Sequence, residues 1–310
     1  MPRFHVEKSV EIAASPEVVF EKVVDFRTWT TWSPWLCSEP TAKVTVSEVS
    51  NAPGSLYQWE GTVVGAGELE HLQVEPNRLI EDEIRFSKPY KSKAKVGFDF
   101  APSGLGTKVT WRMSGSLPWF LFWMTGMVKG AISMDYARGL RMLKEWIETG
   151  SIQTQTNILG NTTIGPIAMA GLRRRCAISD IGPSMQGAIG EIMPLFQQNN
   201  LPVDGQMMAA YHKFDIGKQT CEYTVGLTLP SADTPVPTSL ERWSTPETKA
   251  FCVEHVGDYN HLGNAWSAAN QHVRYHNWKL ASCSAFEIYE NDPEQTPVDQ
   301  LRTKIYLPLK

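Results

Sequence analysis

The stretch WFLFWMTGMVKGAISMDYARGLRMLKEWIE, from Trp119 to Glu148, decides how the first half of the chain folds. Within it Leu121, Met124, Val128, Ile132, Tyr136, Leu140, Leu143 and Ile147 recur at spacings of three and four, which places them on one face of an α-helix. Roughly 30 residues at 1.5 Å each give a helix of about 45 Å. An apolar stripe of that length needs a long partner, and the residues before it supply one. Positions 4–12 alternate like a strand. Ser15, Pro16 and Glu17 then open a short helix, with Ser15 as N-cap, Pro16 at the first helical position and Val18, Val19, Phe20, Val23 and Val24 as its apolar face. Strand-like runs follow at 42–48, 55–64, 67–74, 79–86, 93–100 and 107–114, with turn residues at Pro76-Asn77 and Pro102-Ser103-Gly104. A strand, short helices, a meander of strands and one long amphipathic helix is an α+β order, with the helix laid across a curved antiparallel sheet.

The pattern changes near residue 150. Gly150 to Thr163 is polar and rich in Thr, Gln and Asn, and reads as a linker. The expected organisation is a first domain at 1–149, a linker at 150–170 and a second domain at 171–310. The second half repeats itself. A strand at 174–181, a helix through 188–198 and strands at 207–214 and 221–229 form one series; a strand at 250–256, a helix at 262–276 and strands at 282–289 and 303–307 form the next. Their endings are alike, Tyr223-Thr-Val-Gly-Leu-Thr-Leu-Pro230 beside Thr303-Lys-Ile-Tyr-Leu-Pro308. Two β-α-β-β units predict a duplicated, pseudo-twofold domain with a cleft between its halves.

Composition excludes several function classes. The net charge is -4, and the one dense basic run, Arg173-Arg174-Arg175, reads as a solvated strand edge, so no nucleic-acid partner is expected. Five cysteines, Cys37, Cys176, Cys221, Cys252 and Cys283, are odd in number and form no Cys-x-x-Cys pair; buried free thiols in a reducing, cytoplasmic setting fit this best. The first residues carry no apolar signal region. The apolar run at 117–127 is shorter than the about 20 residues a bilayer demands, so no membrane insertion is expected. Gly65-Ala66-Gly67 lacks the following helix of a phosphate loop, and no Gly-x-Ser-x-Gly turn occurs. His272 and His276 have i, i+4 spacing, but no third ligand stands near and Arg274 and Lys279 oppose a cation. Neither a metal nor a cofactor is expected.

Residues 1 to about 148 resemble the SRPBCC or START-like superfamily, in its polyketide cyclase and lipid-transport branch. The stretch Glu11-Ile-Ala-Ala-Ser-Pro-Glu-Val-Val-Phe-Glu-Lys-Val-Val-Asp-Phe26, the aromatics Trp29, Trp32 and Trp35 and the long closing helix carry the resemblance. It implies a helix-grip fold around a deep apolar cavity. Residues from about 172 to 310 resemble the GyrI-like effector-binding domain, also found behind the DNA-binding domains of transcription activators. His255-Val-Gly-Asp-Tyr259, Trp278, Phe286-Glu-Ile-Tyr-Glu-Asn-Asp-Pro293 and Ile305-Tyr-Leu-Pro308 carry that one. It implies binding of drug-like, often cationic aromatic molecules, or, in a subset, hydrolysis of strained electrophiles. The regulators have a helix-turn-helix in front, whereas this chain has a START-like domain there, which argues against a transcription-factor role.

Glu287 is the sharpest candidate. In strict alternation Cys283, Ala285, Glu287 and Tyr289 share one strand face, and Phe286 and Ile288 the other. A carboxylate on an apolar face costs several kcal/mol unless paired or protonated. Ionised, it attracts a delocalised cation; with a raised pKa, it works as a general acid or base; the bland reading is a solvent-facing residue. The resemblance implies that it is the family's buried acid. Tyr289, Trp278, Tyr259 and Tyr211 are the candidate ligand contacts around it, each with a core-packing reading beside the functional one, and His212 is a weaker companion to Tyr211. Of the many aromatics in the first half, Trp29, Trp32, Trp35, Tyr57, Trp59, Trp111, Trp119, Phe120, Phe122 and Trp123, the expectation is that they line a partial cavity or fill it. The resulting expectation is binding of small apolar or aromatic, sometimes cationic, molecules in both domains, for sensing or sequestration. The alternative is a hydrolase of an electrophilic small molecule using Glu287.

Overall fold

The computed structural model describes residues 2–104 and 106–310, which form two compact units meeting between Gln153 and Thr154. The first contains β1 (Arg3–Ile12), α1 (Pro16–Val24), α2 (Trp29–Trp32), β2 (Lys43–Val46), β3 (Leu56–Glu60), β4 (Ala66–Glu75), β5 (Leu79–Lys88), β6 (Ser92–Ser103), β7 (Gly106–Ser116) and α3 (Thr125–Thr149). Its seven strands form one antiparallel sheet in the order β1-β7-β6-β5-β4-β3-β2. Period-two burial shows why: Val109, Trp111 and Met113 of β7 are buried, while Arg112 between them turns outward to Glu81 and Asp99. The inward face meets Tyr136, Leu140 and Leu143 of α3, so the sheet grips the helix as expected. Gly150 ends α3 in the left-handed region at φ +84°, donating its N–H to the Trp146 carbonyl; only glycine adopts that conformation cheaply.

The predicted helix start is corrected. Residues 119–124 form a 3-10 segment with non-helical torsions at Leu121, and the α-helix begins at Thr125. Six successive large apolar residues give no sidedness, so they do not join the stripe that α3 buries. Trp119, Phe120, Phe122 and Trp123 are accordingly exposed.

The second unit contains β8 (Gln155–Ile164), β9 (Ile167–Ala177), α4 (Ile181–Gln198), β10 (Met207–Asp215), β11 (Thr220–Thr228), β12 (Glu241–Thr245), β13 (Thr248–Val256), α5 (Leu262–Tyr275), β14 (Ala285–Tyr289) and β15 (Arg302–Pro308). Its eight-stranded order, β12-β9-β11-β10-β14-β15-β13-β8, is palindromic about the β10–β14 seam. The units β9-α4-β10-β11 and β13-α5-β14-β15 are the two repeats. The strand that precedes each repeat adds to the far edge of the other: β8 pairs with β13, and β12 with β9. The stretch read as a linker is therefore mostly strand. A solvent-facing edge strand needs no apolar alternation, so its Thr- and Asn-rich sequence resembles a loop. Arg173 to Arg175 pair with β11 only, beyond the end of β12, and Arg173 meets Glu222 and Glu241. One face of the sheet packs Ile192 and Phe196 of α4 and Ala265, Ala268 and Ala269 of α5. The other gathers Met208, Trp243, Phe286, Ile288 and Tyr306.

Candidate functional site

Glu287 sits on β14 opposite Ala209 of β10 on one side and Ile305 of β15 on the other, in the middle of the sheet and at the seam between the repeats. Alternation puts it on the helix-bearing face, and its exposure is 0%. Ala209, with one methyl group, leaves room for the neighbouring side chains to converge. Tyr211, two residues along β10, donates its hydroxyl to Glu287 Oε1 at 2.8 Å. Tyr289, two residues along β14, donates to the same oxygen at 2.6 Å. Trp266 of α5 donates its indole N–H to Oε2 at 2.8 Å. Ala265, Ala268 and Ala269, all fully buried, let the helix approach the sheet closely enough for that indole to reach.

The rings form a cup. Tyr211 and Trp266 meet edge to face at 4.9 Å between centroids, and Tyr259 meets Tyr289 likewise at 5.6 Å. Tyr223 lies 6.1 Å from Tyr211 and shares a 2.7 Å hydrogen bond with Ser184 of α4. The carboxylate is wholly buried, whereas Tyr211, Tyr259, Trp266 and Tyr289 are half-buried. The partly exposed rings therefore lie nearer to solvent than the carboxylate does.

Burial pushes the Glu287 carboxyl above the usual carboxylate range, and the bonds from Tyr289, Trp266 and Tyr211 pull it part of the way back. Burial and the same carboxylate drive the Tyr211 and Tyr289 phenols well above their ordinary value. Tyr259 is pushed up to about 12, by burial and then by Glu287. Each hydrogen bond to a charged group contributes about 1.5–3 kcal/mol, so three of them offset much of the cost of burial. No basic side chain among the described residues forms an ion pair with Glu287, so its ionised form has no protein cation to match it.

The structure brings together Glu287, Tyr289, Tyr211 and Tyr259. Trp278 lies outside this cluster: its indole stacks on His276 at 4.2 Å and packs against Phe251 at 5.2 Å. His212 turns away from Tyr211 at a β-bulge and bonds Ser284 and Thr224. Trp266 is the member of this cluster that sequence reasoning missed. Its signal was present, as the one large aromatic in the small-residue run Asn264-Ala-Trp-Ser-Ala-Ala269. Among the described residues no group of three or more His, Cys, Asp or Glu side chains could hold a metal ion, and no helix is long and apolar enough to cross a membrane.

With fold and site in view, the comparisons sort the chain into two classes. Residues 3–148 match the family described as polyketide cyclase / dehydrase and lipid transport, and residues 162–310 match the GyrI-like small molecule binding domain. The chain thus joins an N-terminal half of the first kind, with a helix-grip fold, to a C-terminal half that matches the second. No curated protein matches it. Among solved structures it is similar to protein MLL2253 from Mesorhizobium loti, at 16% identity over 48% of this chain and 100% of that one, with a TM-score of 0.38. It is also similar to the Aha1 dimer from Colwellia psychrerythraea (16% identity, 47% and 98% covered, TM-score 0.36) and to CalU16 from Micromonospora echinospora (12%, 48% and 86%, TM-score 0.34).

Proposed function

We propose that the second domain binds small aromatic cations on the cup formed by Tyr211, Tyr259, Trp266 and Tyr289. The observation that carries this reading is the fully buried Glu287, hydrogen-bonded only by ring-borne donors. A phenol or indole that donates to a carboxylate gains electron density, which strengthens the attraction of its face for a cation. Glu287 then acts on the guest through the rings, and the guest supplies the positive charge the protein withholds. Matched probes test this. N-methylquinolinium should quench tryptophan emission and bind at least tenfold more tightly than uncharged 1-methylnaphthalene. Glu287→Gln should erase that preference while binding of the naphthalene stays within twofold. Equal affinities for the two probes in the unmodified protein would refute the reading.

Hydrolysis is the second reading, favoured by the upward shift of a buried carboxyl, a common mark of a general acid or base. Binding accounts for more of the geometry, because ring-borne donors already take three of the about four positions at which an ionised carboxylate accepts, leaving about one, on Oε2, for a water. Turnover of an aryl epoxide that disappears in Glu287→Gln would support the enzyme; turnover unchanged by that substitution removes Glu287 from the mechanism.

A further inference from the structure

The segment that does not join α3 leaves four large rings in solvent: Trp119 is 75% exposed, Phe120 58%, Phe122 67% and Trp123 68%. Single exposed apolar residues are ordinary, but a contiguous run of this size marks a surface that meets something apolar. The topology gathers positive charge at the same end of the sheet. β7 ends at Ser116, just before the segment, and pairs there with Arg3 of β1, while the Leu117 N–H donates to the Pro2 carbonyl. Gly115 of β7 pairs with Ala94 near the start of β6, so the turn from β5 to β6, with exposed Tyr90 and Lys91, lies at this end too. Lys129 is exposed near the start of α3. Lys88 and Lys93, beside the turn, are held by Glu60 and Glu83, whereas Arg3, Lys91 and Lys129 form no ion pair among the described residues.

The sequence sharpens this asymmetry. Positions 84–98 hold five Lys or Arg and no Asp or Glu, and positions 100–134 hold three more and again no acid, in a chain whose net charge is -4. This end is therefore basic although the whole chain is acidic, and its charge complements an anionic partner. The form of the apolar run says which kind. A helix that docks in a protein groove spaces its anchors three and four residues apart, whereas residues 119–124 are apolar without a break and have no polar side. Trp and Phe rings settle at the boundary between lipid headgroups and acyl chains, and flanking Lys and Arg are drawn to anionic headgroups.

We infer that this end of the first domain adsorbs on an anionic lipid bilayer, with the rings of Trp119, Phe120, Phe122 and Trp123 at headgroup depth and Arg3, Lys91 and Lys129 against the lipid phosphates. The segment lies along the surface and does not cross it, and the Glu287 site plays no part. Flotation of the full chain with vesicles of phosphatidylcholine and phosphatidylglycerol in equal parts, against phosphatidylcholine alone, tests it. Binding to the mixed vesicles is expected to be about tenfold tighter. That preference should vanish in about 1 M salt, where the screening length falls to about 3 Å. Trp119→Ser with Trp123→Ser should weaken binding about tenfold. Lys91→Glu with Lys129→Glu should remove the preference for the mixed vesicles, and Glu287→Gln should leave it unchanged. Should the serine variant fail to fold by near-ultraviolet circular dichroism, Phe120→Ser with Phe122→Ser replaces it with the same expected loss. No binding to the mixed vesicles, or binding untouched by the ring substitutions, overturns the inference. So does sedimentation velocity in which the unmodified protein is a dimer and the serine variant a monomer while vesicles stay unbound, because the rings would then join two copies of the chain.

Discussion

Glu287 and Asp82 are both wholly buried on sheet strands, yet their surroundings differ in kind. Glu287 has every oxygen occupied by a donor and no positive group beside it. Asp82 has one oxygen neutralised by His71 and the other unpartnered, near the Tyr136 hydroxyl that is itself unpartnered. The first site is satisfied in hydrogen bonds and unmatched in charge; the second is matched in charge and unsatisfied in hydrogen bonds. The two carboxylates therefore differ in what the protein leaves unmet: a counter-charge at Glu287 and a hydrogen bond at Asp82.

The contrast can be broken by mutation, and the largest effect belongs to Glu287→Ala. It strands two phenols and an indole without an acceptor and opens a void at the seam, so the second domain should lose about 3–5 kcal/mol in denaturant unfolding. Loss below about 1 kcal/mol would mean that the three bonds are not formed. Tyr289→Phe removes one donor only, and about 1–2 kcal/mol of stability should go with it. The matching change in the first domain, Tyr136→Phe, deletes a hydroxyl that no protein atom holds. It should be neutral or stabilise by up to about 1 kcal/mol, and comparable losses in the two variants would erase the distinction between the sites.

The smallest effect sharpens the comparison through pH. Glu287 has a folded-state pKa above its unfolded value of 4.5. The folded state therefore holds the proton more tightly, so this group's contribution is fully present below about pH 4.5 and declines as pH rises through the higher folded value. Glu287→Gln, which cannot ionise, should flatten that decline in second-domain unfolding curves. A stability that instead rises with pH because of Glu287 would show that the hydrogen bonds outweigh burial.

The parts legible in sequence are those governed by local periodicity. Alternation placed Glu287 with Tyr289, and the repeat placed Tyr211 in the matching strand, because both signals live within one strand or its copy. Trp266 escaped because its role depends on how closely three alanines bring α5 to the sheet, a distance between elements that no spacing records. His71 and Asp82 escaped for the same reason: they pair across β4 and β5, a contact that no local motif records. Trp278 was drawn in by the resemblance and by its place just after the second repeat's helix, and its packing on His276 and Phe251 is visible only in three dimensions. The edge strand β8 was hidden by polar residues suited to its exposed position.

The most direct test of the central claim is a high-resolution structure of the full chain soaked with N-methylquinolinium. The ring should lie on the Tyr211, Tyr259, Trp266 and Tyr289 faces, with Glu287 retaining its three donors beneath. A probe bound elsewhere, or a lysine or arginine found paired with Glu287, would contradict the account.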